Sequence, residues 1–267
     1  MRIAIMRPKE KIGESIEIAK RLGFEPMIAS PLRVEVVDSS SFDAFLESLF
    51  SGEIDFVIVT SAIGARAVIE LATKRRKSEE LVRVLNSVYM VAIGPETARA
   101  LESAGIRVSI LPNIYSSDGI AELMSSQSIA GKRIFILRSD RGEKKLVGEL
   151  VKSGAKAVEV IVYSLVPNIE DPDLLKIIDA VVSRKLEVLA FTSPLSAKVF
   201  VDVALSRYRE DVVFDALAQS FIAAIGNPTR MMLESYNIRV DIVPPEATFE
   251  CLLQTIKKRI SYDSRSG

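Results

Sequence analysis

Histidine is absent from this 267-residue chain, and cysteine occurs once. Without histidine there is no Ser–His or Cys–His nucleophile pair, and nearly every zinc or iron site is excluded. Acid–base work falls to Asp, Glu, Lys, Tyr, Cys or water. The lone Cys251 allows no internal disulfide; within the apolar run FECLLQTI it reads as a small core residue. Net charge is also missing, since 35 Lys and Arg balance 35 Asp and Glu. No global field draws the chain to nucleic acid or membrane, and neither is expected as a partner. No apolar run is long enough to span a bilayer. The opening strand RIAIM is too short for a secretory h-region and meets Arg7-Pro-Lys-Glu-Lys11 at once, so an intracellular, cytoplasmic protein is expected. No glycine loop of the dinucleotide or P-loop type occurs, and no acidic metal cluster. Asp171-Pro-Asp173 reads as a helix cap. The basic run Lys74-Arg-Arg-Lys77 lacks interleaved aromatics and reads as a solvated helix end.

What the chain has is a repeat. Ala92 to Pro112, AIGPETARALESAGIRVSILP, returns 132 residues later as AIGNPTRMMLESYNIRVDIVP, with 12 of 21 positions identical. The same offset lays IDFVIVTSAIGARAVIELA (from Ile54) on LEVLAFTSPLSAKVFVDVA (from Leu186). At an offset of 131, the run Arg2 to Arg7 matches Arg133 to Arg138. A period this long signals duplicated domains, not a solenoid of short units.

Short apolar runs (RIAIM, DFVIVT, VYMVAIG, RVSIL, RIFIL, AVEVIVY, EVLAFT, FIAAIG, RVDIV) alternate with amphipathic stretches such as ESIEIAKRL, ARAVIELA, ETARALESA and KKLVGELVKS. That alternation predicts βαβ units, and uniformly apolar strands predict sheets covered on both faces. The expected fold class is α/β, with two similar doubly wound parallel-sheet domains. Two segments, PMIASPLRVEVV and VEVIVYSLVPNI, are long for a strand within one sheet. Read as strands that continue into bridges, they predict a discontinuous domain (residues 1–33 plus 168–262), an inserted domain (37–163) and a two-stranded β linker (34–36 and 164–167). Two contiguous halves split near Gly131 are the alternative. Two bridging segments would let the domains hinge on a ligand.

In open α/β sheets ligands bind beyond the carboxyl ends of the strands. The residues there are Arg7, Thr60, Ser61, Gly94, Pro112, Arg138, Ser139, Thr192, Ser193, Gly226 and Pro244. Most precede a helix, whose N-terminal N–H groups and dipole favour anions. Simple helix capping also explains each hydroxyl. Tyr163 lies in a bridging segment, where its hydroxyl could point into a cleft between domains or out to solvent.

Taken together, Arg7-Pro8, Thr60-Ser61-Ala62, Ala92-Ile-Gly-Pro-Glu-Thr97-Ala98, Leu137-Arg138, Val162-Tyr163, Phe191-Thr-Ser-Pro194, Ala224-Ile-Gly226 with Thr229, and Pro244 with Ala247-Thr248 resemble the uroporphyrinogen-III synthase (HemD-like) family, from Arg2 to about Ile260. Two departures stand out. Gly226-Asn-Pro-Thr-Arg230 replaces the family's Gly-Pro-x-Thr-Ala, and Arg138-Ser-Asp-Arg-Gly142 is more charged than the family's turn. The resemblance implies cyclisation of the linear tetrapyrrole hydroxymethylbilane to uroporphyrinogen III, with ring D inverted, water lost and no metal or organic cofactor. It implies Tyr163 as the tyrosine beside the departing hydroxyl, and the strand-end residues, Thr97 and Thr229 among them, as contacts to the substrate's carboxylates. A monomer is expected. A non-enzymatic two-lobed binding or regulatory protein is the competing reading, because fold does not establish function. A two-cysteine racemase is excluded by the single thiol, and the missing glycine loops disfavour a nucleotide-dependent enzyme.

Overall fold

The computed structural model describes residues 1–142 and 144–263. Along the chain run β1 (Arg2–Met6), α1 (Ile12–Arg21), β2 (Glu25–Ala29), β3 (Leu32–Val36), α2 (Ser40–Phe50), β4 (Phe56–Val59), α3 (Ala62–Lys74), α4 (Ser78–Leu85), β5 (Tyr89–Ala92), α5 (Pro95–Glu102) and α6 (Ser117–Ser125). Then follow β6 (Arg133–Ser139), α7 (Lys145–Lys152), β7 (Lys156–Pro167), α8 (Pro172–Val182), β8 (Val188–Phe191), α9 (Pro194–Arg207), α10 (Glu210–Ala218), β9 (Phe221–Ala224), α11 (Asn227–Glu234) and α12 (Phe249–Asp263). The chain divides into two compact units. An inserted unit comprises Val34–Leu165, and a split unit comprises Met1–Arg33 and the chain from Val166 on.

In the split unit the strand order is β2-β1-β8-β9, all parallel. Period-2 alternation turns neighbouring side chains of β1 to opposite faces. Ile3 and Ile5 pack with Phe249, Leu252 and Ile256 of α12 on one face. Ala4 and Met6 pack with Leu174 of α8 and Phe200 of α9 on the other. The inserted unit follows the same rule. Its order is β3-β7-β6-β4-β5. Val57 and Val59 of β4 meet Phe42, Phe45 and Leu71, while Ile58 meets Ile120, Met124 and Leu146. Each fully buried Ile, Leu or Phe contributes about 1.5–3 kcal/mol, which only a sheet covered on both faces can collect from every strand residue.

Four expectations need revision. PMIASPLRVEVV is not one long strand: β2 ends at Ala29 and β3 begins at Leu32, around Ser30-Pro31, whose proline has no N–H for a ladder. β7, by contrast, runs unbroken over 12 residues. β3 lies antiparallel to it, since Val37 N–H donates to Val162 C=O and Asn168 N–H to Pro31 C=O. RVSIL and RVDIV form single parallel bridges, Val91 to Ile110 and Ala223 to Ile242, instead of strands. Pro112 and Pro244 follow directly and cannot donate to a longer ladder. Arg75 in the basic run is not a solvated end: its guanidinium lies over the Phe42 ring and pairs with Asp38 and Asp43. Cys251, expected in the core, is half-buried. Asp171 does cap α8, accepting from Asp173 N–H (3.0 Å). Among the described residues no helix is long and apolar enough to cross a membrane.

Candidate functional site

The strand carboxyl ends of the inserted unit bring Ser61 and Tyr163 together. Ser61 is the N-cap of α3; its Oγ accepts from Gly64 N–H at 2.9 Å and lies 3.0 Å from the Tyr163 hydroxyl. Tyr163 sits in β7 at 7 % exposure, paired in register with Ser139 across a bulge between Arg138 and Ser139. A β-bulge re-aims side chains at a sheet end, and here it turns Ser139 beside Tyr163. Gly64 keeps the packing tight: a Cβ there would stand 3.2 Å from Ser61 Oγ and 3.6 Å from Tyr163 Cε1. Thr60 faces the backbone, its Oγ1 donating to Leu137 C=O at 3.4 Å.

Arg138 is placed differently from its neighbours. It is 3 % exposed, and its Nη1 donates to Glu159 Oε1 at 2.8 Å. Among the described residues its Nε is buried without a partner, and its guanidinium fills the space where a Gly142 Cβ would be. The arginine braces the turn after β6. Gly94 begins α5, with Tyr115 lying across it; a Cβ at Gly94 would meet the Tyr115 ring at 3.2 Å. Thr97 is buried one turn along. Tyr115 and Ile114, 60 % and 61 % exposed, are the features beside Gly94 that the motifs did not point to. Their only sequence signal is two apolar residues just ahead of the α6 cap, Ser116.

In the split unit Arg7 follows β1, its Nε donating to Ser15 Oγ at 3.1 Å and its guanidinium 4.3 Å from the Phe249 ring centre. Burial holds its pKa below the ordinary arginine range, against the attraction of Glu14. Thr192 Oγ1 donates to Met6 C=O at 2.5 Å, which ties the end of β8 to the residue before Arg7. Ser193 caps α9, accepting from Ser196 N–H at 3.1 Å. Gly226 caps α11 with φ −170° and ψ 172°, close to the −175° and 179° of Gly94. The departure Gly226-Asn-Pro-Thr therefore leaves the cap glycine's conformation nearly the same. Thr229, like Thr97, is buried.

Each unit thus presents helix N-termini with glycine or hydroxyl caps at its strand carboxyl ends, an arrangement suited to anions. Among the described residues no cluster of His, Cys, Asp and Glu could hold a metal ion. The fold and these turns define a two-domain α/β protein with parallel sheets, its candidate residues gathered at the strand ends.

Residues 14–254 match the family described as uroporphyrinogen-III synthase HemD. The uroporphyrinogen-III synthase of Chlorobaculum parvum is 32 % identical over 243 residues, covering 91 % of this chain and 92 % of that one. That of Synechococcus elongatus is 24 % identical over 270 residues, covering 95 % and 98 %. Among solved structures, a mutant uroporphyrinogen III synthase from Thermus thermophilus superposes with a TM-score of 0.59 at 18 % identity, covering 98 % of this chain and 99 % of that one. The uroporphyrinogen-III synthetase of Helicobacter pylori gives 0.58 at 16 %, covering 97 % and 100 %. These two show the shared fold. The chain belongs to the uroporphyrinogen-III synthase family of cyclising lyases.

Proposed function

We propose that this protein converts hydroxymethylbilane to uroporphyrinogen III, with inversion of ring D and loss of water, as a monomer in the tetrapyrrole biosynthesis that leads to haem and sirohaem. The observation that carries the catalytic part is the 3.0 Å contact between the Tyr163 and Ser61 hydroxyls. Ser61 Oγ already accepts from Gly64 N–H, so its own proton is free to go to Tyr163. The Tyr163 proton is then available to the substrate's departing hydroxyl. Loss of that hydroxyl as water leaves an azafulvene. The substituted carbon of ring D attacks it, the spiro intermediate fragments, and the ring recloses inverted.

The leaving group departs readily, and unassisted closure gives the uninverted isomer. Orientation is therefore the enzyme's main contribution. We assign it to the strand-end turns. The backbone N–H groups at the N-termini of α3 and α5, around Thr60, Ser61, Gly94 and Ser139, and of α9 and α11, around Thr192, Ser193 and Gly226, together with the Arg7 guanidinium, bind the carboxylates of the substrate. Thr97, Thr229 and the buried Arg138 support those turns from beneath. No redox step is involved, so no redox cofactor follows from the reaction.

Fresh hydroxymethylbilane, supplied by a coupled assay with isomer analysis, tests the reading. Wild-type protein should yield isomer III. Tyr163→Phe should slow that product roughly tenfold and raise the share of isomer I, a modest loss because a phenol is a weak proton donor at neutral pH. Full rate with an unchanged isomer ratio removes Tyr163 from the mechanism. A wild-type protein that protects the substrate without cyclising it is a binder, and the proposal fails.

A further inference from the structure

The split unit contains a cavity of ≈ 600 Å³ where β9 begins, at the other end of that strand from Gly226. Leu205 of α9, Phe214 and Leu217 of α10, and Ile238 supply apolar walls, and Ala218, Asn237 and Arg239 also line it. The volume falls in the range of small-molecule sites, about 300–1,000 Å³.

The internal repeat shows what differs at its rim. At the offset of 132, Ala218, Asn237 and Arg239 correspond to Asn86, Gly105 and Arg107 of the inserted unit. There the Asn86 carboxamide closes the same place: Nδ2 donates to Gly105 C=O at 2.9 Å, and Oδ1 accepts from Arg107 N–H at 2.7 Å. The turn keeps its form in the split unit, because Asn237 adopts φ 58° where Gly105 adopts 81°. Ala218 brings no amide. Among the described residues, the Asn237 carbonyl and the Arg239 N–H have no protein hydrogen-bond partner. An adjacent acceptor and donor beside an apolar cavity are therefore left unclaimed by the described protein groups.

We propose that this cavity binds a planar small molecule bearing a carboxamide or cyclic-amide edge. The edge takes the position that the Asn86 side chain holds in the inserted unit. Its N–H meets the Asn237 carbonyl, its oxygen meets the Arg239 N–H, and its ring rests among Leu205, Phe214, Leu217 and Ile238. A carboxylate fits poorly, since it has no proton for the Asn237 carbonyl and Glu210 also lines the cavity. The Arg239 guanidinium, paired with Asp241 at 2.7 Å, is already engaged.

Titration of the full chain with nicotinamide and, separately, nicotinate tests the proposal, with binding followed by calorimetry and by amide chemical shifts. Nicotinamide should bind with a Kd on the order of millimolar or tighter. Nicotinate should bind at least about tenfold more weakly. Ala218→Asn installs the missing clasp at an exposed position and should abolish nicotinamide binding while leaving the synthase rate unchanged. Should that variant not fold, the wild-type Arg239 amide decides: a shift there on adding nicotinamide supports the site, and shifts confined elsewhere overturn it. Absence of nicotinamide binding, equal binding of nicotinate, or undiminished binding by folded Ala218→Asn also overturns it.

Discussion

The inserted and split units repeat one another down to single hydrogen bonds, yet they finish their turns differently. Met90 N–H donates to the Ser109 side chain, and its counterpart Ile222 N–H donates to Asp241. Ser61 and Ser193 cap equivalent helices. At four places the copies diverge. Tyr115 lies against Gly94, whereas Ala247 is what stands near Gly226. Ser61 meets Tyr163, whereas Ser193 meets Ser196. Arg138 pairs with Glu159, whereas Arg7 rests on Phe249. Asn86 closes a turn that Ala218 leaves open. Backbone hydrogen bonding holds both copies to one plan, because a strand or helix start must satisfy its N–H and C=O groups wherever it lies. Side chains beyond those obligations were free to diverge, and the candidate chemistry collects there.

The largest expected effect tests how differently the copies pack one helix start. Gly119, near the start of α6, has its counterpart in Cys251 of α12. A Cβ on Gly119 would stand 1.9 Å from the Ile114 carbonyl oxygen, a backbone atom that cannot swing aside. Gly119→Ala should cost about 3 kcal/mol or more, despite the roughly 1 kcal/mol that alanine gains over glycine in a helix. Cys251→Ala should stay within about 1 kcal/mol. Urea unfolding midpoints measure both, and equal values would show that the 114–116 segment yields in a way the packing denies.

A smaller effect separates capping from chemistry. Ser61→Ala and Ser193→Ala each remove one N-cap bond and should each lose about 1 kcal/mol of stability. Ser61→Ala should also shift the isomer ratio more than Ser193→Ala does, since Ser61 and not Ser193 contacts Tyr163. Matching changes in product from both variants would erase the functional asymmetry.

The smallest effect is one of pH. Asp55 joins β4 to the start of β6: Lys132 Nζ donates to its Oδ1 at 2.8 Å and Arg133 N–H to its Oδ2 at 2.9 Å. The Lys132 hydrogen bond, and then that of the Arg133 backbone, hold its pKa below the ordinary carboxylate value. A pKa lowered on folding stabilises above the unfolded value, and that contribution disappears as pH falls through the folded one. Asp55→Asn should therefore lower stability at neutral pH, by about 1 kcal/mol at most for so exposed a pair, and the difference from wild type should close as acid takes the pH down through the lowered pKa. Its counterpart Glu187 has no side-chain hydrogen bond or ion pair among the described residues. Glu187→Gln should accordingly change little at either pH; a matching acid dependence would make the Asp55 clasp irrelevant.

Much of the plan was readable from residue order. The repeat, the strand–helix alternation and the hydroxyl and glycine turns are local, because period-2 and period-3.6 patterns and cap residues are written within a few positions. RVSIL and RVDIV show where locality fails: both have strand composition, yet Pro112 and Pro244 limit each to one bridge. Arg138 fails in another way. It sits among strand-end residues in sequence, but Glu159, 21 residues on, draws its guanidinium inward. Tyr115 carried no motif, and its place against Gly94 depends on how the loop before α6 folds back.

By itself the sequence determined that this is a duplicated α/β protein, without histidine chemistry, whose polar turns gather at strand ends. Tertiary structure alone decided that Tyr163 reaches Ser61 across 102 residues, that Arg138 is buried, and that a cavity borders the turn whose counterpart Asn86 clasps. The physical reason is range. Propensity, periodicity and capping act between neighbours, whereas a hydroxyl pair, a buried ion pair or an empty volume exists only once distant segments have packed together.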